Sequence, residues 1–263
     1  MAEDSRIHLP TGTKTKQHFI CSASADLMTD TGMGTQALFG QRFDVIHVKA
    51  GVAYGVLYSI LPSSARIDYI GNLPEQALSD APHKPTYRVT VIAAAVFESA
   101  DIKSKLLNSV PRNASLSGTV DGDFLHLVQG GYVHLRHLSP VNGNASRTYM
   151  ALAEDMLGLP YIWGGTGHIG VDCSGLVQSA LAANGVDAPR DADQQEAVLG
   201  DLIRFEDRQS GDLLFWSGHV GIVVERDQLL HANAHHMCVA LEPVTTAVER
   251  IGEVRTTKRF SVV

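Results

Sequence analysis

A chain of 263 residues with 44% hydrophobic and 19% charged side chains is long enough for one large or several small domains and apolar enough to bury a core. Its formal net charge of −7 argues against a nucleic-acid or anionic-membrane partner, because both select a basic surface. Three cysteines, Cys21, Cys173 and Cys238, cannot build a disulfide framework and fit a reducing, cytoplasmic setting.

Along the chain, residues 1–30 are mixed polar with little periodicity and read as an arm that carries no signal-peptide core. From Gly34 to about Asp80, "QALFG", "RFDVIHV", "YGVLYSI" and "RIDYIG" read as short strands. A similar pattern returns from Thr86 to Pro140 with "RVTVIAAAVF", "KLLNSV", "ASLSGTV", "FLHLV" and "GGYVHLRHL". Two small all-β barrels are expected, over 31–82 and 83–142, with linkers at "DAPHKPT" (80–86) and "SPVNGNAS" (139–146). The longest apolar stretch, residues 89–97, is far too short to cross a bilayer.

After Ser146 the period changes. Tyr149, Met150, Ala153, Met156 and Leu157 fall at helical spacing, and Gly158 and Pro160 supply a stop. A second helix is expected from Ser174, with Leu176, Val177, Ala180 and Leu181 on one face and Gly185 at its end. Beyond Gly211, "DLLFW", "HVGIVV" and "LLHANA" read as strands, with "MCVALEPV" as a fourth. Helices followed by a strand meander give an α+β domain over residues 143–263.

Cys173 lies between the glycine-rich run "WGGTGHIG" and that second helix. At a helix start the unpaired amides and the dipole favour a thiolate, so the position suits a nucleophile better than packing. A base is then needed. His219 opens "HVGIVV" and His231 closes "QLLH", and a hairpin turning at "ERDQ" puts both on one face, opposite or diagonal. One histidine can take the thiol proton while the other orients its ring. His235 and His236 beside His231 make only a weak zinc signal, because no second-shell carboxylate stands near them in sequence. "GTGHIG" lacks the lysine of a phosphate loop and reads as a turn. Cys21 and Cys238 read as inert packing.

The motifs "PYIWGG", "GVDCSGLVQ", "PRDADQQ", "GDLLFW", "GHVGIVV" and "LLHANAHHM", in this order, resemble the NlpC family of bacterial cell-wall cysteine peptidases, which have a papain-like core. The resemblance implies Cys173 as nucleophile, His219 as general base, His231 as orienting member and Tyr161 with the Cys173 amide as oxyanion donors. It implies Asp172 and Ser174 as pocket residues and Arg190 as a holder of substrate carboxylate. More loosely, "TQALFGQ", "DYIGNL" and "GGYVHLRHL" resemble the paired SH3-like barrels of a subgroup that trims murein peptides. There an acidic residue and a tyrosine grip a free N-terminal ammonium. The tyrosine maps to Tyr69, whereas the acidic position falls on Gln41, a neutral amide that forfeits the charge-assisted part of the contact. Either Asp68, Asp172 or Glu98 compensates, or the specificity for a free amine is relaxed.

The expected activity is a γ-D-glutamyl-L-diamino acid endopeptidase acting on a murein peptide, with no metal or organic cofactor. Two rival readings are a muropeptide-binding protein with a degenerate core and an acyl or amide transferase on the same core.

Overall fold

The computed structural model describes residues 4–143 and 147–259. They divide into two compact units, with the junction between 144 and 145. The last residues of the second expected linker, 144–146, and the first three of the chain lie outside the described residues.

In the first unit, seven antiparallel strands form one sheet in the order Gly32–Leu38, Ser24–Thr29, Ile67–Pro74, Val52–Tyr58, Arg42–Lys49, Lys16–Ile20 and Leu78–Ser79. Alternation along Ser24–Thr29 turns Ala25 and Leu27 inward, where they join Phe43, Leu57 and Leu73 in one core. Lys16–Ile20 pairs with Arg42–Lys49 on one side and Leu78–Ser79 on the other. Residues 16–29 are therefore two strands of the first β body rather than part of an arm. Their apolar positions, such as Ile20 and Leu27, are too few and too far apart to show a period in the sequence, and only the neighbouring strands reveal the inward face.

A second β body follows Asp80–Thr86. It has a five-stranded sheet (Leu106–Pro111, Ala93–Phe97, Tyr132–His134, Phe124–Leu127, Gly118–Asp121) and a three-stranded one (Ser115–Leu116, Tyr87–Val89, Leu138–Pro140). Val89, Val96, Val110, Leu116, Leu125 and Val133 fill its core. The run "RVTVIAAAVF" is two strands rather than one. Tyr87–Val89 and Ala93–Phe97 join different sheets, with the chain breaking at residues 90–92.

The second unit opens with the short helix α1 (Tyr149–Glu154), capped by the Thr148 side chain. Helix α2 (Cys173–Ala183) has all but its last residue buried, and it packs against α1 and the strands His219–Val224 and Gln228–Asn233. A helix buried on every side belongs in the middle of a domain, and here it is the spine of the unit. Helix α3 (Ala192–Val198) starts at a capping box made by Asp191 and Gln194. The six-stranded antiparallel sheet runs Asp201–Ile203, Thr256–Arg259, Asp212–Trp216, His219–Val224, Gln228–Asn233, Cys238–Pro243. Helix α4 (Val244–Ile251) follows Cys238–Pro243 directly. Asp212–Trp216, His219–Val224, Gln228–Asn233 and Cys238–Pro243 match the strands expected. Helices α3 and α4 and the strands Asp201–Ile203 and Thr256–Arg259 were not expected, because each is too short to show a period in the sequence.

Candidate active site

Cys173 is the first residue of α2 and Asp172 is its N-cap, with the Asp172 carboxylate accepting from the Gly175 amide at 2.7 Å. The approach of the glycine-rich loop is close. A Cβ at Gly175 would stand 2.1 Å from the Gly165 carbonyl oxygen, so only glycine lets the helix start here. Asp172 also accepts from the Gly164 amide at 2.8 Å, and Arg190 clamps it with two bonds of 3.0 and 2.7 Å. Arg190 donates further to Ser174 Oγ at 2.9 Å, and Ser174 donates to Asp172 at 3.3 Å. Asp172, Ser174 and Arg190 thus form one buried cluster under the start of α2.

The expected role of Arg190 in holding a substrate carboxylate does not fit this arrangement. Its side chain is 1% exposed and its guanidinium is taken up by Asp172, Ser174 and the Gly165 carbonyl. It neutralises and positions Asp172 instead. Gln41 and Tyr69 also turn inward. Gln41 accepts from the Leu38 amide at 2.9 Å and donates to the Tyr58 carbonyl at 2.6 Å, which makes it a brace of the first sheet. Tyr69 packs its ring into the first core beside Gly34, where a Cβ would lie 2.7 Å from the ring. Asp68 is buried and paired with Arg66, while Glu98 is exposed.

The two histidines meet. The hairpin pairs Ile222 with Leu230 and Val224 with Gln228, a register that sets His219 and His231 diagonal on one face. His219 Nε2 and His231 Nδ1 are 2.9 Å apart. Gly221 makes room, since a Cβ there would crowd the Cβ of His231 at 3.2 Å. His231 is fully buried, and its Nε2 lies 2.8 Å from Glu242 Oε1 on the next strand. Arg250, from α4, donates to the same carboxylate oxygen. Neither Glu242 nor Arg250 was expected in the site.

Among the described residues, His231, His236 and Glu242 alone place three metal-type ligand atoms within 4.8 Å. A carboxylate does therefore stand near these histidines, contrary to the sequence reading. It is already occupied by the His231 ring and the Arg250 guanidinium, both of which a cation would have to displace.

Burial pushes the Cys173 thiol up to about 11. The Asp172 charge adds to this, while amide hydrogen bonds from Val220 and Ser174 and the Arg190 charge oppose it. The net rise is worth about 3 kcal/mol, against ~0.3–1 kcal/mol from a helix end. Desolvation wins, so Cys173 rests as a thiol, not the thiolate expected from its place on the helix. His219 is pushed down to about 4, chiefly by burial and then by His231 and Arg250, with Asp172 and Glu242 acting the other way. Burial, Arg250 and His236 press His231 down to about 3. Both rings are neutral at pH 7. Tyr161 lies near enough for Cys173 and Asp172 to act on its hydroxyl, which burial first and then those charges push up to about 12, so it stays a donor.

A helix-start cysteine set against a sheet-borne histidine is the papain-like plan. Residues 158–250 match the model of the NlpC/P60 family. This segment is an NlpC/P60 domain. The chain is similar to a γ-D-glutamyl-L-lysine dipeptidyl-peptidase of Bacillus cereus, 26% identical over 237 residues, covering 81% of this chain and 71% of that protein. The chain is also similar to a γ-D-glutamyl-L-lysine dipeptidyl-peptidase of Bacillus subtilis, 43% identical over 84 residues, covering 29% of this chain and 28% of that protein. The crystal structure of an NlpC/P60 family protein from Bacillus cereus shares the fold, with TM-score 0.78 and 21% identity over 93% of this chain and 99% of that one. NlpC/P60 domains are papain-like cysteine peptidases of a peptidoglycan-hydrolase family.

Proposed function

We propose that the protein is a cysteine endopeptidase that hydrolyses the bond between γ-D-glutamate and a diamino acid in murein peptides carrying a free N-terminal L-alanine. The observation that carries this is the line from His219 Nε2 to His231 Nδ1, 2.9 Å long, on the strand packed against the start of α2. The names of the Bacillus cereus and Bacillus subtilis relatives support the choice of bond. We read the two β bodies of the first unit as SH3-like modules and place the activity on released peptides in a reducing compartment, a reading that three free cysteines support.

In the reaction, the Cys173 sulfur attacks the γ-carbonyl carbon as its proton passes to the free nitrogen of His219. The carbonyl oxygen becomes an oxyanion, which receives the Cys173 amide and the Tyr161 hydroxyl. Collapse breaks the C–N bond, and the His219 proton goes to the leaving amine. Water, deprotonated by His219, then releases the γ-D-glutamyl acid from sulfur. Because the thiol is protonated at rest, proton transfer accompanies attack rather than preceding it.

The test is hydrolysis of L-Ala-γ-D-Glu-meso-diaminopimelate beside its N-acetylated form, followed by mass spectrometry, with Cys173→Ala as control. Cleavage of the free-amine peptide alone supports the full reading. Equal cleavage of both removes the amine requirement, and cleavage that survives Cys173→Ala overturns the assignment. Mixed products with added amines would move the chemistry to acyl transfer.

A further inference from the structure

His219, His231 and Glu242 stand on three adjacent strands, each displaced from its neighbour by one diagonal step. Register pairs His231 with Ala240 and Leu229 with Glu242, which places the carboxylate diagonal to His231, as His231 is to His219. The result is a continuous line of hydrogen bonds, 2.9 Å and then 2.8 Å, ending on a buried carboxylate.

The direction of that line follows from donor chemistry. A carboxylate only accepts, so the proton between His231 and Glu242 sits on His231 Nε2. A neutral imidazole then has a bare Nδ1, which accepts from His219 Nε2–H. His219, also neutral, is left with a bare Nδ1, the nitrogen needed to take the thiol proton. Reversing any one bond would set two N–H groups or two lone pairs face to face in a buried site, leaving both unsatisfied. We propose that Glu242 is the positioning residue that fixes the proton tautomers of both histidines, and that Arg250 holds Glu242 in the acceptor role. This deepens the peptidase reading and rests on Cys173 and His219 being nucleophile and base.

Arg250 has a second consequence. An unpaired buried carboxylate would draw a proton onto His231 and convert its Nδ1 from acceptor to donor, breaking the line. The guanidinium on Glu242 Oε1 removes that pull and repels a charge on His231 directly. The charged and titratable groups around the pair are Glu242 on one strand, Arg250 on α4, His236 beyond the strand end, and Asp172 with Cys173 at the start of α2. Opposite effects therefore follow from removing the two partners. Glu242→Gln keeps the shape, but its amide can donate as well as accept, so the tautomers become mixed at every pH. Arg250→Gln keeps the carboxylate and lets His231 protonate in milder acid.

The experiment uses the full chain and needs no peptide substrate. Cys173 alkylation by iodoacetamide is followed by peptide mass mapping from pH 4 to 9, beside nitrogen-15 spectra of the histidine rings. Wild-type protein should show one tautomer, with Nε2 protonated on both rings. Glu242→Gln should mix the tautomers and slow alkylation by roughly tenfold or more, since a wrong tautomer disables the base. Arg250→Gln should move the acid limb of the alkylation profile to higher pH. Unchanged tautomers and rate in Glu242→Gln would overturn the proposal, as would equal, pH-independent losses in the two variants, which would mean mere loosening. Wild-type Cys173 alkylating no faster than Cys21 would instead sink the peptidase reading and take this proposal with it; a tautomer change without a rate change sinks the proposal alone.

Discussion

Replacing Arg190 with methionine tests whether this arginine is a structural clamp. In the parent, its guanidinium reaches both Asp172 oxygens at 3.0 and 2.7 Å with 1% of the side chain exposed. Two charges about 4 Å apart attract by ~4 kcal/mol at an effective dielectric near 20. Removing one partner of a buried pair costs ~3–5 kcal/mol, because the other charge stays buried. Asp172 keeps the Gly164 and Gly175 amides, which favours the low end, about 3 kcal/mol. For a unit of this size that lowers Tm by roughly 12 °C. The variant should also lose reactivity, because Arg190 is a charge that holds the Cys173 thiol down while Asp172 pushes it up. Thermal melts and iodoacetamide labelling at neutral pH read the two effects. Adding Asp172→Asn removes the stranded charge, so the double variant should recover part of the loss despite the weaker cap. A Tm within ~2 °C of the parent, or a double variant worse than the sum of the singles, would refute the clamp and reopen Arg190 as a substrate ligand.

Three further predictions concern pH and the loop. The kcat/KM profile should be bell-shaped, with an acid limb well below the usual histidine value of ~6.5, since His219 must be neutral and is pushed down to about 4. Its alkaline limb should follow the thiol, at about 11; a single rise with no basic limb would contradict a thiol–imidazole pair. Stability should move with the same groups. The unfolded chain binds protons on His219 and His231 near pH ~6.5 and the folded one resists, so Tm should fall as pH drops from there toward 4. Gly175→Ala should cost both stability and activity, because its Cβ would lie 2.1 Å from the Gly165 carbonyl; a variant with parental melting and turnover would show that the loop yields easily.

The legible part of the site is the part with local rules. A glycine-rich turn, an Asp cap and an apolar run mark the start of α2, and they place Cys173 without reference to the rest of the chain. The histidine pair was readable because the hairpin turn between the two strands is short and fixes parity. Glu242 was not, because its register depends on the turn at 234–237, where Met237 adopts a positive φ of 55°. A one-residue change there would point Glu242 to the other face. Arg250 rides on α4, a helix too short to announce itself by period. Arg190 and Gln41 failed for another reason. Residue type says that a group can bind a ligand, whereas its neighbours decide whether it faces outward, and both turned inward to satisfy buried carboxylate or backbone groups.

The two buried carboxylates beside the Cys173–His219 pair are each matched by an arginine, Asp172 by Arg190 and Glu242 by Arg250. Charges of both signs act on His219 and on Cys173, and burial is the largest single influence on each. Fixed charge therefore does not decide the protonation of the reacting groups, and desolvation does. That favours the neutral thiol and imidazole at rest over an ion pair. It also makes the proton transfer conditional, since charge separation becomes favourable only once an oxyanion forms against Tyr161 and the α2 amides. A site built this way keeps the sulfur protonated at rest and lets the neighbouring imidazole take the proton as an electrophile arrives. Each arginine holds its carboxylate in place, Arg190 on Asp172 beside the sulfur and Arg250 on Glu242 behind His231.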